Sequence, residues 1–194
     1  MKHISQDKSP VKQKFLGVQE PCYKKELEGP RATWWPPEAI MKIRAYIKGD
    51  EKEIMELDAR ELPSEWNRRT LENWYWKFTE RNPAGHARIW VAEHGGHLVG
   101  HFAAVPFRLK VFDEVVTASH TIGALVDKKF QNRGLLKFVG EKLMEEQVEN
   151  GYPFTWGFPN RLAHRFENVV LKYNDLLNFD MWKLAREDIP VVEG

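Results

Sequence analysis

The segment with the clearest chemical pattern is residues 126–136, where an apolar run ends, a polar turn follows and Gly134 precedes an amphipathic stretch. This pattern predicts a strand, a turn and the start of a helix. The first N–H groups of a helix have no partner inside it, and the helix dipole favours negative charge there. Because Lys128, Lys129 and Arg133 add positive charge, the segment indicates a phosphate site. An ordinary strand-to-helix turn without a ligand is the alternative.

A second segment places Asn160 after Gly157, Phe158 and Pro159, just before an apolar-periodic stretch that starts near Leu162. Asparagine directly before a helix commonly caps it, because its side-chain oxygen accepts one of the unpaired N–H groups of the first turn. We therefore expect a turn followed by a helix here.

Three histidines, His94, His97 and His101, have a spacing that metal ligands can show. His94 lies across a Gly-Gly turn from the other two, and no carboxylate or cysteine completes the set, so we predict no metal site. The single cysteine, Cys22, has no neighbouring histidine and is not a candidate nucleophile.

The elements that must position these residues follow from periodicity. Alternating apolar residues predict strands, and apolar residues at i, i+3, i+4 and i+7 predict helices. Strands are predicted at 41–47, 89–94, 98–105, 107–112, 115–126, 153–157 and 179–184; helices are predicted from residue 50, from residue 70, at 134–150 and at 162–171.

The composition predicts one globular domain. Of the 194 residues, 42% are hydrophobic and 29% charged, which is typical of a folded chain. We expect a Pro/Lys-rich arm at 1–38, a domain at 39–186 and a tail at 187–194. A net charge of +1 argues against a nucleic-acid partner, and the lack of an apolar run of about 18 residues argues against a membrane partner. With no signal-peptide pattern at the start, the expected location is the cytoplasm.

The spacing Gln131-x-x-Gly134-x-Leu136 resembles the R/Q-x-x-G-x-G/A signature of the GNAT superfamily of N-acetyltransferases. The order of predicted elements over residues 40–184 is similar to that family, and the Gly-Phe-Pro-Asn segment at 157–160 resembles a subgroup of it. The resemblance implies an α/β (α+β) fold. Its central sheet would be mixed, mostly antiparallel and six- to seven-stranded, with about four flanking helices.

The resemblance also implies acetyl-CoA, or another acyl-CoA, as co-substrate, with no metal. Backbone groups of Leu125 and Val126 would pair with the pantetheine arm, and Asn160 would hydrogen-bond the same arm. The pyrophosphate would lie on the turn and the first helical residues: Gln131, Asn132, Arg133, Gly134, Leu135 and Leu136.

Three residues are candidates for proton transfer. Many members of the family place a tyrosine on the helix after the asparagine as general acid; that position is Glu167 here, and Tyr173 further along can substitute. His120 lies eleven residues before Gln131, the offset at which some members place a glutamate base. The alternative for His120 is a partly buried strand histidine, and which strand face meets a cleft stays open.

The function implied by the resemblance is transfer of an acetyl or other acyl group from acyl-CoA to a primary amine by direct attack in a ternary complex. A non-catalytic acyl-CoA-binding or partner-binding domain is the alternative, because Leu136 and Glu167 depart from the family pattern. The class of amine acceptor is not readable from the sequence, and a homodimer and a monomer are both compatible with it.

Overall fold

The structure is a computed structural model that describes residues 41–63, 70–79 and 82–176. The predicted N-terminal arm, the predicted final strand at 179–184 and the C-terminal tail lie outside these ranges. The described elements are β1 (Met41–Ala45), α1 (Asp50–Glu61), α2 (Leu71–Phe78), β2 (Arg88–His94), β3 (His97–Val111), β4 (Glu114–Val126), α3 (Leu135–Glu149), β5 (Thr155–Trp156) and α4 (Arg161–Val169).

The described strands form one mixed sheet in the order β1-β2-β3-β4-β5. The first four strands pair antiparallel with their neighbours, and β5 runs parallel to β4. With four α-helices beside it, this sheet confirms the predicted α/β class. The described residues contribute five strands, fewer than the six to seven expected. No helix among the described residues is long and apolar enough to cross a membrane.

Two strands predicted on either side of Pro106 are one continuous strand, β3, so that expectation is wrong. Proline lacks an N–H group and normally interrupts a ladder. Here Pro106 lies beyond the last β2 partner, which pairs at Ala104. On the other side it faces Ser119, whose N–H points away to Phe154 of the neighbouring chain segment at 3.3 Å. No ladder bond needs the missing N–H, so the strand continues.

The two faces of the sheet are covered by different helices. Ile54 of α1 and Trp74 of α2 pack with Ala103 and Val105 of β3 in the main core. The ring of Phe102 points to the other face, where it lies 6.3 Å from the ring of Phe166 in α4. Side chains alternate along a strand, so the residues of β4 that pair with these β3 residues are divided between the same two faces.

Candidate functional site

The strands β4 and β5 separate after two residue pairs. Ser119 pairs with Thr155 and His120 pairs with Trp156, whereas β4 continues to Val126. Among the described residues, no strand pairs with the last six residues of β4 on the side away from β3. This stretch of β4 is therefore an open edge with backbone groups that can pair with a ligand.

The ladder with β3 decides which residues face the open edge. The N–H of Asp127 donates to the carbonyl of Val99 at 2.9 Å, so this pair is hydrogen-bonded. In antiparallel pairs bonded and non-bonded positions alternate, which turns the backbone groups of Leu125 toward β3 and those of Ala124 and Val126 toward the open edge. Ala124 and Val126 thus present their backbone groups to the open edge and Leu125 does not, and pairing of Leu125 and Val126 with a pantetheine arm stays a prediction.

The turn after β4 has the conformation that glycine and asparagine tolerate best. Asn132 has φ 61° and Gly134, the N-cap of α3, has φ 75°, both left-handed. No acidic side chain lies in the first turn of α3. The helix start therefore offers N–H donors to an anion, as the sequence predicts.

Other residues of this turn have structural roles. The side-chain amide of Gln131 donates to the carbonyl of Val126 at 2.9 Å and ties the turn to the end of β4. Leu135 is buried in the core, so only its backbone can reach a ligand. Leu136 is half-buried, and the guanidinium of Arg133 lies over the ring of Phe130 at 6.0 Å.

Asn160 directly precedes α4 and caps its first turn. Its side-chain oxygen accepts the N–H of Ala163 at 2.9 Å, and its carbonyl accepts the N–H of His164 at 2.8 Å. The expected cap is confirmed. The side chain is exposed, and a contact with a pantetheine arm stays a prediction.

Thr121 brings Glu167 and Tyr173 together at the point where the strands separate. Its hydroxyl donates to the carbonyl of Trp156 at 3.3 Å, and it lies close enough to the Glu167 carboxyl and the Tyr173 phenol to lower the pKa of both. The phenol of Tyr173 itself donates to the sulfur of Met144 at 3.5 Å. Thr121 and Glu167 are buried.

Burial biases both acidic groups toward their protonated forms. It raises the pKa of the Glu167 carboxyl, against smaller opposing effects from His164 and Thr121. Burial also raises the pKa of the Tyr173 phenol, and the nearby charge of Glu167 raises it further. A charged form is disfavoured where water is excluded, so both groups hold their protons to higher pH than they would in water.

His120 lies on the other face of β4. It pairs with Val105, a residue of the main core, and its half-buried ring is directed to the side of the sheet that α1 and α2 cover. Burial lowers the pKa of the imidazole, and the positive charge of Lys77 lowers it further. The neutral imidazole that a proton acceptor needs is thus favoured.

Around His120 lie three aromatic rings, and these four residues are called the aromatic cluster below. The imidazole stacks on the indole of Trp156, and the rings of Phe107 and Phe158 meet both at steep angles. Sequence reasoning missed this cluster and the role of Thr121. The alternation of β4 could have placed His120 and Thr121 on opposite faces. The rings around His120 come from β3, from β5 and from the segment after β5, and the sequence does not reveal how these pair with β4.

The histidines with metal-like spacing do not converge. His101 is buried and bonded to Asp58 of α1 at 2.8 Å, whereas the ring of His94 packs on Phe130 at 5.0 Å. Within the described ranges there is no group of three or more potential metal ligands.

A family model described as an acetyltransferase (GNAT) domain matches residues 42–167, which is well over half of the chain. The chain belongs to the GNAT acetyltransferase family. The GNAT match spans the open edge, the turn at α3 and most of α4, and it ends at Glu167. None of the curated protein sequences that we searched matches the chain.

Solved GNAT structures share the fold. Glucosamine-6-phosphate N-acetyltransferase from Arabidopsis thaliana is 18% identical, with a TM-score of 0.58 over 74% of this chain and 98% of that one. An acetyltransferase from Trypanosoma brucei is 18% identical, with a TM-score of 0.57 over 75% and 100%. An aminoglycoside N-acetyltransferase in complex with CoA is 14% identical, with a TM-score of 0.61 over 77% and 98%. Identities this low support the fold and leave the acceptor undetermined.

Proposed function

We propose that this GNAT domain is an N-acyltransferase that moves an acetyl or other acyl group from acyl-CoA to a primary amine by direct attack in a ternary complex. The observation that carries the proposal is the placement of His120 and Tyr173 near the point where β4 and β5 separate. His120 and Thr121, which lies beside the Tyr173 phenol, are on opposite faces of β4. A reaction that removes one proton and returns another needs two such groups.

The open edge and the adjoining turn would hold acyl-CoA. The N–H groups at the start of α3 would bind the diphosphate, with Lys128, Lys129 and Arg133 adding positive charge nearby. The outward backbone groups of Ala124 and the N–H of Val126 would pair with the pantetheine amides as an added strand does, since the Val126 carbonyl already accepts the Gln131 amide. The thioester would then reach the end of the open edge beside Thr121.

His120 would accept the proton that the amine loses as it bonds to the acyl carbon. Its lowered pKa keeps the imidazole neutral at physiological pH, and a neutral ring nitrogen can take up a proton. The ring is held on the side of β4 that faces α1 and α2. The acceptor would approach the thioester from that side.

Tyr173 would protonate the sulfur of CoA as the carbon–sulfur bond breaks. Its raised pKa keeps the phenol protonated in the range where His120 is neutral. The Glu167 carboxyl, whose pKa burial raises, also lies beside Thr121. Glu167, which stands at the position of the family tyrosine, would support the acid and not act on substrate itself.

Calorimetry with acetyl-CoA, CoA and longer acyl-CoAs, followed by thiol release with a panel of amines, tests the proposal. We expect acyl-CoA binding and thiol release that depends on an amine. Binding without amine-dependent release from any acyl-CoA would favour the non-catalytic alternative. Absence of binding would overturn the assignment of the open edge and the turn.

A further inference from the structure

We propose that the aromatic cluster of His120, Trp156, Phe107 and Phe158 is the acceptor subsite and selects primary amines that carry a flat aromatic ring. The inference rests on the proposed acyltransferase function and adds the chemical class of its acceptor. Neither the family match nor the similar structures assign an acceptor to this chain.

The geometry of the cluster is suited to a planar apolar group. The centroid of the Phe158 ring lies 5.3 Å from that of Trp156 and 5.8 Å from that of His120, with interplanar angles of 86° and 75°. The centroid of the Phe107 ring lies 5.8 Å from that of His120 and 5.9 Å from that of Trp156. Aromatic rings prefer edge-to-face or offset contacts at these separations, so an added ring can continue the arrangement.

The outer rings are accessible. Phe158 is 63% exposed and Phe107 is 41% exposed, although removing large apolar side chains from water lowers the free energy of the system. An exposed group of aromatic rings beside a reaction site is typical of a substrate pocket. A ring that packs on Phe158 and Phe107 would remove this surface from water.

The position of the cluster relates it to the reaction. His120 and Trp156 form the last pair before β4 and β5 separate, and His120 is the proposed proton acceptor. An amine on a short chain attached to the bound ring would therefore lie near the imidazole. The reacting nitrogen and the recognised ring would be held by neighbouring side chains, which orients the attack.

Charge distinguishes this subsite from one that binds polycations. None of the four residues of the cluster is acidic, and the charged side chain that acts on His120 is Lys77, a cation. A polycationic aminoglycoside would meet repulsion without a compensating carboxylate in the cluster. A monoamine with an apolar ring would not.

The test compares initial rates with four amines at saturating acetyl-CoA: phenethylamine, cyclohexylethylamine, glucosamine 6-phosphate and kanamycin. We expect kcat/KM for phenethylamine to exceed that for cyclohexylethylamine about two- to tenfold, because a flat ring adds aromatic contacts to the same apolar area. The other two amines should react more slowly still. Equal rates for the two ethylamines, or faster reaction of kanamycin, would overturn the proposal while leaving the acyltransferase function intact.

Two matched variants test the location of the subsite. Phe158→Ala should lower kcat/KM for phenethylamine about two- to tenfold more than kcat/KM for ethylamine, which has no ring to contact Phe158. Phe112→Ala is the control, since Phe112 is 87% exposed at the β3–β4 turn outside the cluster. An equal loss for both amines in Phe158→Ala would assign Phe158 a general structural role and overturn the subsite.

A binding measurement separates failure of the subsite from failure of the proposed function. Saturation-transfer NMR of phenethylamine with the protein and CoA reports ring contact without turnover. If no amine reacts but phenethylamine binds the wild-type protein and not Phe158→Ala, the subsite stands and the acyltransferase function fails. If phenethylamine binds both proteins equally, the subsite is wrong.

Discussion

The imidazole of His120 lies parallel to the indole of Trp156, with ring centroids 4.2 Å apart and 11° between the planes. Stacked rings at this distance make a full set of dispersion contacts. Because Trp156 belongs to β5 and His120 to β4, the stack fixes the orientation of the imidazole at the last point where the two strands pair.

The first prediction concerns His120. His120→Phe keeps an aromatic ring for the stack and removes the proton acceptor, so we expect kcat to fall roughly 10²–10⁴-fold with acetyl-CoA affinity nearly unchanged. Rates with a fixed amine, and calorimetry with acetyl-CoA, measure the two effects. His97→Phe, at an exposed turn position, is the control. Full activity in His120→Phe would exclude the base role.

The pH profile gives a second readout for the same residue. The lowered pKa means that the imidazole gains its proton only below its ordinary value of 6.5. Above that pKa the ring is neutral and can accept a proton, so the wild-type kcat should fall as the pH drops through a value below 6.5. His120→Phe should lack this acidic limb. An unchanged limb in the variant would assign it to another group.

Tyr173→Phe should lower kcat roughly 10²–10⁴-fold if the phenol protonates the leaving thiolate. The raised pKa keeps the phenol protonated up to and beyond its ordinary value of 10.0, so this group should cause no alkaline limb below that pH. Tyr152→Phe is the control, because Tyr152 directly follows α3 and is not one of the residues placed beside Thr121. Equal rates in the two variants would leave bulk water as the proton donor.

Gly134→Asp should abolish the rise in Tm that acetyl-CoA gives the wild-type protein. The variant places a carboxylate at the start of α3, where it repels the diphosphate. Gly151→Asp is a matched control: Gly151 has φ 72° against 75° for Gly134 and follows the C-terminal end of the same helix. Both variants share the left-handed strain, of about 1–2 kcal/mol. A retained Tm shift in Gly134→Asp would show that the turn does not bind the diphosphate.

Asn160 has a capping role that must be separated from ligand binding. Asn160→Asp keeps an oxygen that can accept the N–H of Ala163 and loses the amide donor. It should retain stability while weakening acetyl-CoA binding by about 0.5–1.5 kcal/mol. Asn160→Ala should also lose about 1 kcal/mol of stability. Thermal unfolding and calorimetry on both variants check this; unchanged affinity in both would restrict Asn160 to the cap.

Gly157 leaves room for the hydroxyl of Thr121. A Cβ at this glycine would lie 2.6 Å from the Thr121 oxygen, too close for a non-bonded contact, so Gly157→Ala should destabilise the fold by about 1–3 kcal/mol. Thr121→Ala removes that oxygen. In urea unfolding, the double variant should therefore be more stable than the sum of the single effects predicts. Strict additivity would mean that the backbone around Gly157 relaxes instead.

The sequence by itself determined the family features that depend on local order. A polar turn with Gly134 before an amphipathic stretch predicted the left-handed start of α3, because few other residues adopt that conformation without strain. Asn160 before α4 predicted a cap for the same local reason. The element order that follows from periodicity was enough to place the chain in its fold class.

Only the tertiary structure decided which groups meet. Thr121 lies far along the chain from Glu167 and Tyr173, and it meets them at the point where β4 and β5 separate. Hydrogen-bonded and non-bonded residue pairs alternate along the β3–β4 ladder, and this alternation turns the backbone groups of Leu125 away from the open edge. A register shift of one residue would turn them toward it. Strand register and helix packing are set by long-range contacts, and a local sequence pattern does not contain them.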